Sequence, residues 1–209
     1  MNTTEPLRPT APLLPPEPPT PRSAPPSAPP SAPPTAPLPD SPVTPGTPDT
    51  PVTPTRLRSA LGQFATGVTI VTCLDEAGVA VGLTANSFNA LSLDPPLVLW
   101  SLRLESPSLP AFAAAGHFIV NVLAADQLEL SRRFAKRGDD KFAAGDWEPG
   151  LAGVPRLAGC AAVLECEAVS QQTAGDHMLF IGRVQVLSES PHAPLVYQAG
   201  HYHGLGTRL

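Results

Sequence analysis

One stretch holds most of the structural information in this chain: Gly82-Leu-Thr-Ala-Asn-Ser-Phe-Asn-Ala-Leu-Ser-Leu-Asp-Pro-Pro-Leu-Val-Leu-Trp100. A short apolar strand at residues 79–83 leads into small polar residues at 84–87, and a turn at residues 94–96 precedes a second apolar strand. Small residues at a strand end expose backbone N–H groups, which suits a phosphate or the polar edge of a cofactor ring. The same cluster also fits an N-cap before a short helix at residues 87–90, so both interpretations stay open.

Further strands are predicted on both sides of this stretch. Residues 67–74 are rich in β-branched side chains and end at a turn, which predicts a hairpin with residues 79–83. Residues 97–102 are apolar throughout, which predicts a third, central strand. Three more strands follow at residues 117–123, 160–169 and 178–187, and the last two are joined by a turn at residues 173–176.

Two helices are predicted between these strands. The first covers residues 106–116, with Ser106 as N-cap, Pro107 at the first helical position and Gly116 as the stop. The second covers residues 126–137, where one face is apolar. Its C-terminal half holds four cations, which complement the helix dipole and indicate a solvated face: Arg132, Arg133, Lys136 and Arg137.

This order of elements predicts an α+β fold that is mainly β. About six strands, joined by hairpins and short helices, are typical of a β-barrel or sandwich. No Gly-x-Gly-x-x-Gly motif follows a strand and no Walker loop occurs. The sequence therefore does not support a doubly wound dinucleotide-binding fold or a P-loop protein.

Composition divides the chain in two. Of its 29 prolines, 21 precede Arg56, and no aromatic residue occurs in that part. We therefore expect residues 1–55 to be a disordered Pro-rich segment that serves as a solvated spacer rather than as a ligand for SH3 or WW grooves. Residues 56–209 are expected to form one domain. Because the chain lacks a secretory h-region and a membrane-length apolar run, a soluble, cytoplasmic protein is expected.

Charge and cysteine content argue against other classes of protein. Beyond residue 55 the chain has 11 bases and 14 acids, which gives no electrostatic footprint for nucleic acid. Cys73, Cys160 and Cys166 form no Cys-x-x-Cys pair and lie in apolar runs, so buried, reduced thiols are expected. A His-x-His pair at residues 201–203 is usually incidental near a chain end, and no metal site is predicted.

Six motifs occur in a set order along the chain: Phe64-Ala-Thr-Gly-Val-Thr-Ile-Val-Thr72, Gly82-Leu-Thr-Ala-Asn-Ser-Phe88, Leu91-Ser-Leu-Asp-Pro-Pro-Leu97, Asp140-Lys-Phe142, Gly175-Asp-His177 and Tyr197-Gln-Ala-Gly-His-Tyr202. Together they resemble the flavin reductase family with the FMN-binding split barrel. Members of that family are the small reductase components of two-component flavin monooxygenases. The resemblance covers about residues 56–206.

The resemblance implies a homodimeric, six-stranded split barrel that binds FMN, or FAD in some members, near the subunit interface. NADH or NADPH reduces the flavin, which then leaves for a transient oxygenase partner. Two other possibilities stay open. One is an FMN-binding redox carrier or sensor that does not turn over NADH, and the other is a paralogue without a cofactor.

The resemblance also implies site residues. His177 is expected near the nicotinamide and the flavin, and Asp176 is expected to hold the turn and the imidazole, so these two are the expected catalytic residues. Two positions depart from the family pattern: Glu105 adjoins the loop where Arg103 is the expected phosphate cation, and His201 stands where the family often has Arg. The expected cofactor-binding residues are Thr69, Thr84, Ala85, Asn86, Ser87, Ser92, Ser101, Leu102, Arg103, Ser106, Ser108, Lys141 and Tyr202.

Overall fold

The computed structural model describes residues 51–138 and 140–207. The prediction for residues 1–50 of the Pro-rich segment therefore lies outside the described residues, as do Asp139 and residues 208–209. The first described element is helix α1, Pro54–Leu61, which begins with Thr53 as N-cap and crosses the predicted domain boundary at residue 56. The hydroxyl oxygen of Thr53 accepts the amide of Arg56 at 3.3 Å, which satisfies one of the free N–H groups of the first turn.

Seven antiparallel strands form the main sheet in the order β3-β2-β6-β9-β10-β5-β4. The mainly β class is confirmed, and this sheet has one strand more than the predicted six. The bounds of its strands are β2 Thr69–Leu74, β3 Ala80–Ala85, β4 Asn89–Leu93, β5 Pro96–Arg103, β6 His117–Val122, β9 Ala162–Ala174 and β10 His177–Glu189.

Two smaller sheets accompany the main one. The first contains β1 Thr66–Gly67, β11 Val196–Gln198 and β12 His201–His203. The second pairs β7 Trp147–Pro149 with β8 Pro155–Leu157. None of the helices in the part of the chain that the structure describes is long and apolar enough to cross a membrane.

The main sheet curls so that its two edges approach each other. β3 lies at one edge and β5 lies one strand from the other edge, yet Ser87, two residues after β3, forms hydrogen bonds with Ser101 in β5. The sheet is therefore a barrel that is split between these two strands. Most of the predicted cofactor-binding residues lie along this split.

The short helix predicted at residues 87–90 is wrong. Asn89 and Ala90 instead begin strand β4, where they pair with Leu99 and Val98 of β5. A tight turn after Leu93 brings the chain straight back, so β4 forms a ladder of backbone hydrogen bonds with β5 that a bulge interrupts between Ala90 and Ser92. That ladder satisfies more peptide groups than a single isolated helical turn would.

The central position predicted for the strand at residues 97–102 is also wrong, because β9 occupies the middle of the sheet. In β5 only alternate residues are fully buried: Val98, Trp100 and Leu102. The residues between them, Leu99 and Ser101, are only partly covered. Because the partly covered Leu97 and Leu99 are also apolar, the sequence of β5 resembles that of a strand buried on both faces.

Both predicted helices are present but shorter than expected. Helix α2, Leu109–Ala114, begins at Ser108 rather than Ser106, whose hydroxyl accepts the amide of Ser108 at 3.3 Å. Helix α3, Leu128–Ala135, follows one turn of 3-10 helix at Ala125–Gln127. It ends before Lys136, whose backbone is extended (φ −92°, ψ 162°).

Apolar side chains cover both faces of the sheet. Successive residues of β6 alternate between two clusters, because neighbouring side chains of a strand point to opposite faces. Phe118 and Val120 pack in a cluster around Trp100, whereas Ile119 packs in a cluster with Phe134 of α3. The second cluster fixes α3 against the sheet, and this places the end of α3 beside the split of the barrel.

The three cysteines are free and buried in the described structure, as predicted. Burial raises the pKa of each thiol to about 12. These side chains act as small apolar residues within the core.

Candidate functional site

A cleft of about 560 Å³ runs along the split of the barrel, and we call it the split cleft. One wall is the end of β3 and the residues that follow it, 83–87. The second is the end of β5 with the loop after it, 101–108. The third is the end of α3, Phe134–Arg137, together with Lys141 and His177. The lining residues are Leu83, Thr84, Ala85, Asn86, Ser87, Ser101, Leu102, Arg103, Glu105, Ser106, Pro107, Ser108, Phe134, Ala135, Lys136, Arg137, Lys141 and His177.

Most of the predicted site residues line this cleft. The structure brings together eleven of them from four separate parts of the chain: Thr84, Ala85, Asn86, Ser87, Ser101, Leu102, Arg103, Ser106, Ser108, Lys141 and His177. Four others do not line it: Thr69, Ser92, Asp176 and Tyr202. The end of α3 also lines the cleft, although the sequence alone predicts a solvated face for its cations.

Two of the predicted hydroxyl donors are already engaged within the protein. Thr84 donates its hydroxyl hydrogen to the carbonyl of Ser131 in α3 at 2.7 Å. Thr69 is buried and donates to the carbonyl of Ala85 at 2.8 Å. These bonds hold the wall formed by residues 83–87 in place, so the two threonines support the cleft instead of offering free hydrogen-bond donors to it.

Ser87 joins two walls of the split cleft. Its hydroxyl donates to the carbonyl of Ser101 at 2.8 Å and accepts the amide of Ser101 at 3.0 Å. A single side chain thus completes a pair of hydrogen bonds of the kind that a neighbouring strand would supply. The spacing between the two walls is therefore set by Ser87.

His177 begins β10 directly opposite Arg103 of β5. Its ring nitrogen Nδ1 lies 2.7 Å from Oδ1 of Asp176. Within the part of the chain that the structure describes, the other ring nitrogen forms no hydrogen bond. The hydrogen bond with His177 is the main reason that the pKa of Asp176 lies below its usual value. Asp176 is thus an orienting neighbour of the imidazole rather than part of the lining.

The cations of the cleft differ in how far they are neutralised. Arg103 is paired with Glu105 at 3.2 Å. Lys141 donates its ammonium hydrogens to the carbonyls of Gly82 at 3.1 Å and of Phe134 at 3.2 Å, and partial burial lowers its pKa. Among residues 51–138 and 140–207, Lys136 and Arg137 form no ion pair.

Two predicted cofactor-binding residues, Tyr202 and Ser92, instead contact other parts of the protein. The hydroxyl of Tyr202 lies 2.9 Å from the hydroxyl of the fully buried Ser131, and neither residue lines the cleft. Ser92 lies in β4 and pairs with Leu97. Only the sequence motifs support a contact of Tyr202 and Ser92 with the cofactor, because neither residue lines the cleft.

The cleft residues fit a flavin nucleotide. The volume of about 560 Å³ lies in the range of small-molecule sites. The apolar side chain of Leu83 can face an aromatic ring, while backbone and hydroxyl groups and free cations suit the polar chain and phosphate. No group of three or more potential metal ligands occurs among the described residues.

Comparisons with known proteins show the family to which the chain is related. A family model described as "Flavin reductase like domain" matches residues 61–206. HsaB, the reductase subunit of a flavin-dependent monooxygenase from Rhodococcus jostii (strain RHA1), is 46% identical over 151 residues, which cover 72% of this chain and 77% of HsaB. A protein named "Probable flavin reductase" from Rhizobium meliloti (strain 1021) is 45% identical over 146 residues. That match covers 70% of this chain and 47% of the relative, so this chain spans about half of that protein.

A solved structure shows the same fold. It is the NADH:FAD oxidoreductase SgcE6 of Streptomyces globisporus C-1027, in complex with NAD and FAD fragments. It is 35% identical and superposes with a TM-score of 0.69, covering 73% of this chain and 92% of that one. On its fold, its cleft and these similarities, the chain belongs to the flavin reductase like domain family.

Proposed function

We propose that this chain is an NAD(P)H-dependent flavin reductase that binds FMN in the split cleft and passes reduced flavin to a partner monooxygenase. The observation that carries the proposal is the convergence in one cleft of a small-residue wall, an imidazole and unpaired cations. The similarity to HsaB, a reductase subunit, supports an oxygenase partner. The similarity to SgcE6, named as an NADH:FAD oxidoreductase, supports the pairing of flavin with nicotinamide.

Flavin reduction by nicotinamide depends on stacked rings and a dry slot rather than on a strong acid or base. Ala85 and its neighbours present little side-chain bulk, so a planar ring can approach the backbone closely. The Ser87–Ser101 hydrogen bonds keep the two walls at a constant spacing. Preorganised walls reduce the entropy that binding would otherwise cost.

His177 is the residue to which we assign a direct role. Its imidazole lines the cleft and is oriented by Asp176 through Nδ1. The free nitrogen can donate to or accept from the nicotinamide carboxamide or the flavin edge, because either role is open to an imidazole nitrogen and the tautomer decides between them. Asp176 is a positioning residue in this scheme.

A homodimer is the assembly that we propose. Large apolar side chains are exposed on two parts of the main sheet: Leu91 and Leu93 on β4, and Val186 and Leu187 on β10. Leu93 is 96% exposed, although it lies on a strand next to β5. Exposed apolar patches of this kind favour association between subunits. A Leu93→Glu variant should shift the sedimentation coefficient towards that of a monomer, while Val79→Glu, at an exposed residue beyond both parts of the sheet, should not.

We propose that the Pro-rich segment is a spacer and that the protein works in the cytoplasm. The free, buried thiols support the second of these proposals, because such thiols persist in reducing compartments. Removal of residues 1–50 should leave the rate of flavin reduction unchanged. A large loss of rate would contradict the spacer assignment, and recovery of the activity in a membrane or secreted fraction would contradict the compartment.

The decisive experiment follows the disappearance of NADH, and separately of NADPH, with purified protein and increasing FMN. Consumption that rises and saturates with FMN is the expected result. Tight yellow flavin that survives gel filtration without any consumption of either dinucleotide would replace the reductase with a flavin carrier. The same assay with FAD in place of FMN compares the rates that the two flavins support.

A further inference from the structure

A second hollow, of about 640 Å³, lies beside the split cleft. We call it the α3 groove, because it is lined by α3 from Glu129 onwards and by the loop after the helix up to Gly145. Lys136, Arg137 and Lys141 line both hollows, so the α3 groove and the split cleft adjoin at the end of α3.

The α3 groove is strongly cationic. Five of the 13 lysine and arginine residues of the chain lie between positions 132 and 141, and all five line the groove against two carboxylates, Glu129 and Asp140. The chain as a whole carries a net charge of −5. Because a local excess of cations creates a positive potential on an otherwise acidic protein, it draws an acidic partner to this one face.

Two arginines of the α3 groove are held in place by contacts within the protein. Arg132 lies 2.7 Å from the carboxylate of Glu129, and its guanidinium lies over the ring of Tyr202, 6.0 Å from the ring centre. Arg133 donates to the carbonyl of Asp140 at 3.1 Å. Each of these hydrogen bonds uses one N–H group of a guanidinium that has five, so further N–H groups can meet a carboxylate. Side chains that are ordered in advance lose less entropy when a partner binds.

We infer that the α3 groove docks an acidic surface of the partner monooxygenase at the place where reduced flavin leaves the split cleft. This inference deepens the proposed function and rests on it. Two observations select this occupant: the groove adjoins the cleft from which the flavin must leave, and its charge is opposite to that of an acidic protein surface. A docking face of this size fits a transient encounter, which typically buries less than about 1,200 Å².

The test uses the purified protein and a fluorescein-labelled peptide of about ten glutamates, which presents the acidic chemistry of the expected partner. Fluorescence anisotropy at low ionic strength measures the dissociation constant of the peptide. Arg132→Glu should weaken binding about fivefold and Arg132→Glu/Arg133→Glu about tenfold or more, because each change replaces an attraction by a repulsion at an exposed site. Added salt should weaken binding to the parent protein, because salt screens exposed charges.

Arg183→Glu is the matched control for Arg132→Glu. Arg183 lies in β10, lines neither hollow and pairs with Glu167 at 3.9 Å. Its side chain is 49% exposed, against 52% for Arg132. The two variants change the net charge of the chain equally, so a difference between them reports the position of the charge. Arg183→Glu should leave the affinity for the peptide unchanged.

A milder double variant guards against loss of folding. Arg132→Gln/Arg133→Gln keeps a side-chain donor for the carbonyl of Asp140 and should weaken peptide binding about threefold, because it removes attraction without adding repulsion. All of these variants should reduce free FMN at the parental rate, since neither arginine lines the split cleft.

The outcomes are distinct. Unchanged affinity for the peptide in both double variants overturns the docking inference and leaves the reductase in place. A parent protein that does not oxidise NADH or NADPH refutes the proposed function and the oxygenase partner with it. A DNA oligonucleotide of equal charge that binds more tightly than the peptide would replace the acidic protein by a nucleic acid. A sedimentation coefficient that the arginine variants lower would overturn the inference in favour of a second copy of this chain.

Discussion

The hydroxyl of Ser87 and the peptide group of Ser101 form two hydrogen bonds, at 2.8 Å and 3.0 Å, across the split of the barrel. The two residues belong to opposite edges of the main sheet, since Ser87 follows the edge strand β3 and Ser101 belongs to β5, next to the other edge strand. One small side chain therefore sets the spacing of the cleft in which we place the flavin.

Ser87→Ala should widen the split cleft. The change removes a partly buried donor and acceptor and leaves the peptide group of Ser101 without these partners, so the free energy of unfolding should fall by about 1–2 kcal/mol. FMN should bind several-fold more weakly. Denaturant titration and flavin fluorescence measure the two effects. Ser92→Ala, in β4 and outside the cleft, is the control, and an equal loss of FMN affinity in both variants would contradict this role.

His177→Ala should slow the oxidation of NADH by about tenfold or more at saturating FMN, because an oriented imidazole is lost at the reacting rings. The dissociation constant of FMN should change little. Asp176→Asn should have a smaller effect, since it keeps a hydrogen-bond partner for Nδ1 and loses only the charge. The pKa of Asp176 is lowered, so the orienting pair is complete above the usual carboxyl pKa of 3.8 and is lost as the pH falls through the lowered value. A His177→Ala variant with parental kcat would refute the assignment.

Tyr202→Phe should destabilise the protein without weakening FMN binding. The phenolic hydroxyl lies 2.9 Å from the hydroxyl of the fully buried Ser131, so its loss leaves a buried polar atom short of a partner. We expect a loss of about 1–2 kcal/mol in the free energy of unfolding. Weaker FMN binding at unchanged stability would instead return Tyr202 to the cofactor-binding residues.

Gly82→Ala should push α3 away from the sheet. A Cβ at this position would lie 2.7 Å and 3.0 Å from two ring atoms of Phe134 and 3.1 Å from Phe142. Overpacking of this kind costs about 1–3 kcal/mol. Thermal denaturation should show the loss, and FMN affinity should fall because Phe134 lines the cleft. Gly116→Ala, where no atom lies within 4 Å of the added carbon, is the matched control.

Stability should decrease steeply above pH 9. Burial holds the pKa of Cys73, Cys160 and Cys166 at about 12, against 9.0 for an exposed thiol. Between these values the folded protein retains protons that the unfolded chain loses, so each thiol lowers the free energy of unfolding by about 1.4 kcal/mol per pH unit. Urea titrations across this window, compared with Cys73→Ala, measure the share of one thiol. Rapid reaction of the native thiols with a disulfide reagent would contradict their burial.

Local patterns in the sequence were sufficient for part of this structure. Alternating and β-branched runs predicted the hairpin of β2 and β3 and the long pair of β9 and β10, because the side-chain period of a strand depends only on its neighbours. The burial of the cysteines followed from the apolar runs around them. The family resemblance predicted residues of two walls of the cleft, and of the third wall it predicted Lys141 and His177 but not the end of α3.

Other features depend on contacts between distant parts of the chain. The residues at 87–90 resemble the start of a short helix in the sequence, but residues 89–93 pair with β5, a strand that follows them in the chain. Tyr202 and Ser131 lie 71 residues apart, and their contact could not be inferred from either motif. A family motif also does not distinguish a residue that contacts a ligand from one that supports the wall behind it, as Thr69 does.

The amino-acid sequence by itself determined the mainly β class, the positions of most strands, the buried thiols and the family to which the chain belongs, because each rests on local periodicity, composition or motif order. The tertiary structure alone decided which charges are available to a ligand. Lys136 and Arg137 have the same chemistry in the sequence as Arg132 and Arg133. They differ because α3 ends at Ala135 and packs through Phe134 against the sheet, which brings the two residues that follow to the edge of the cleft.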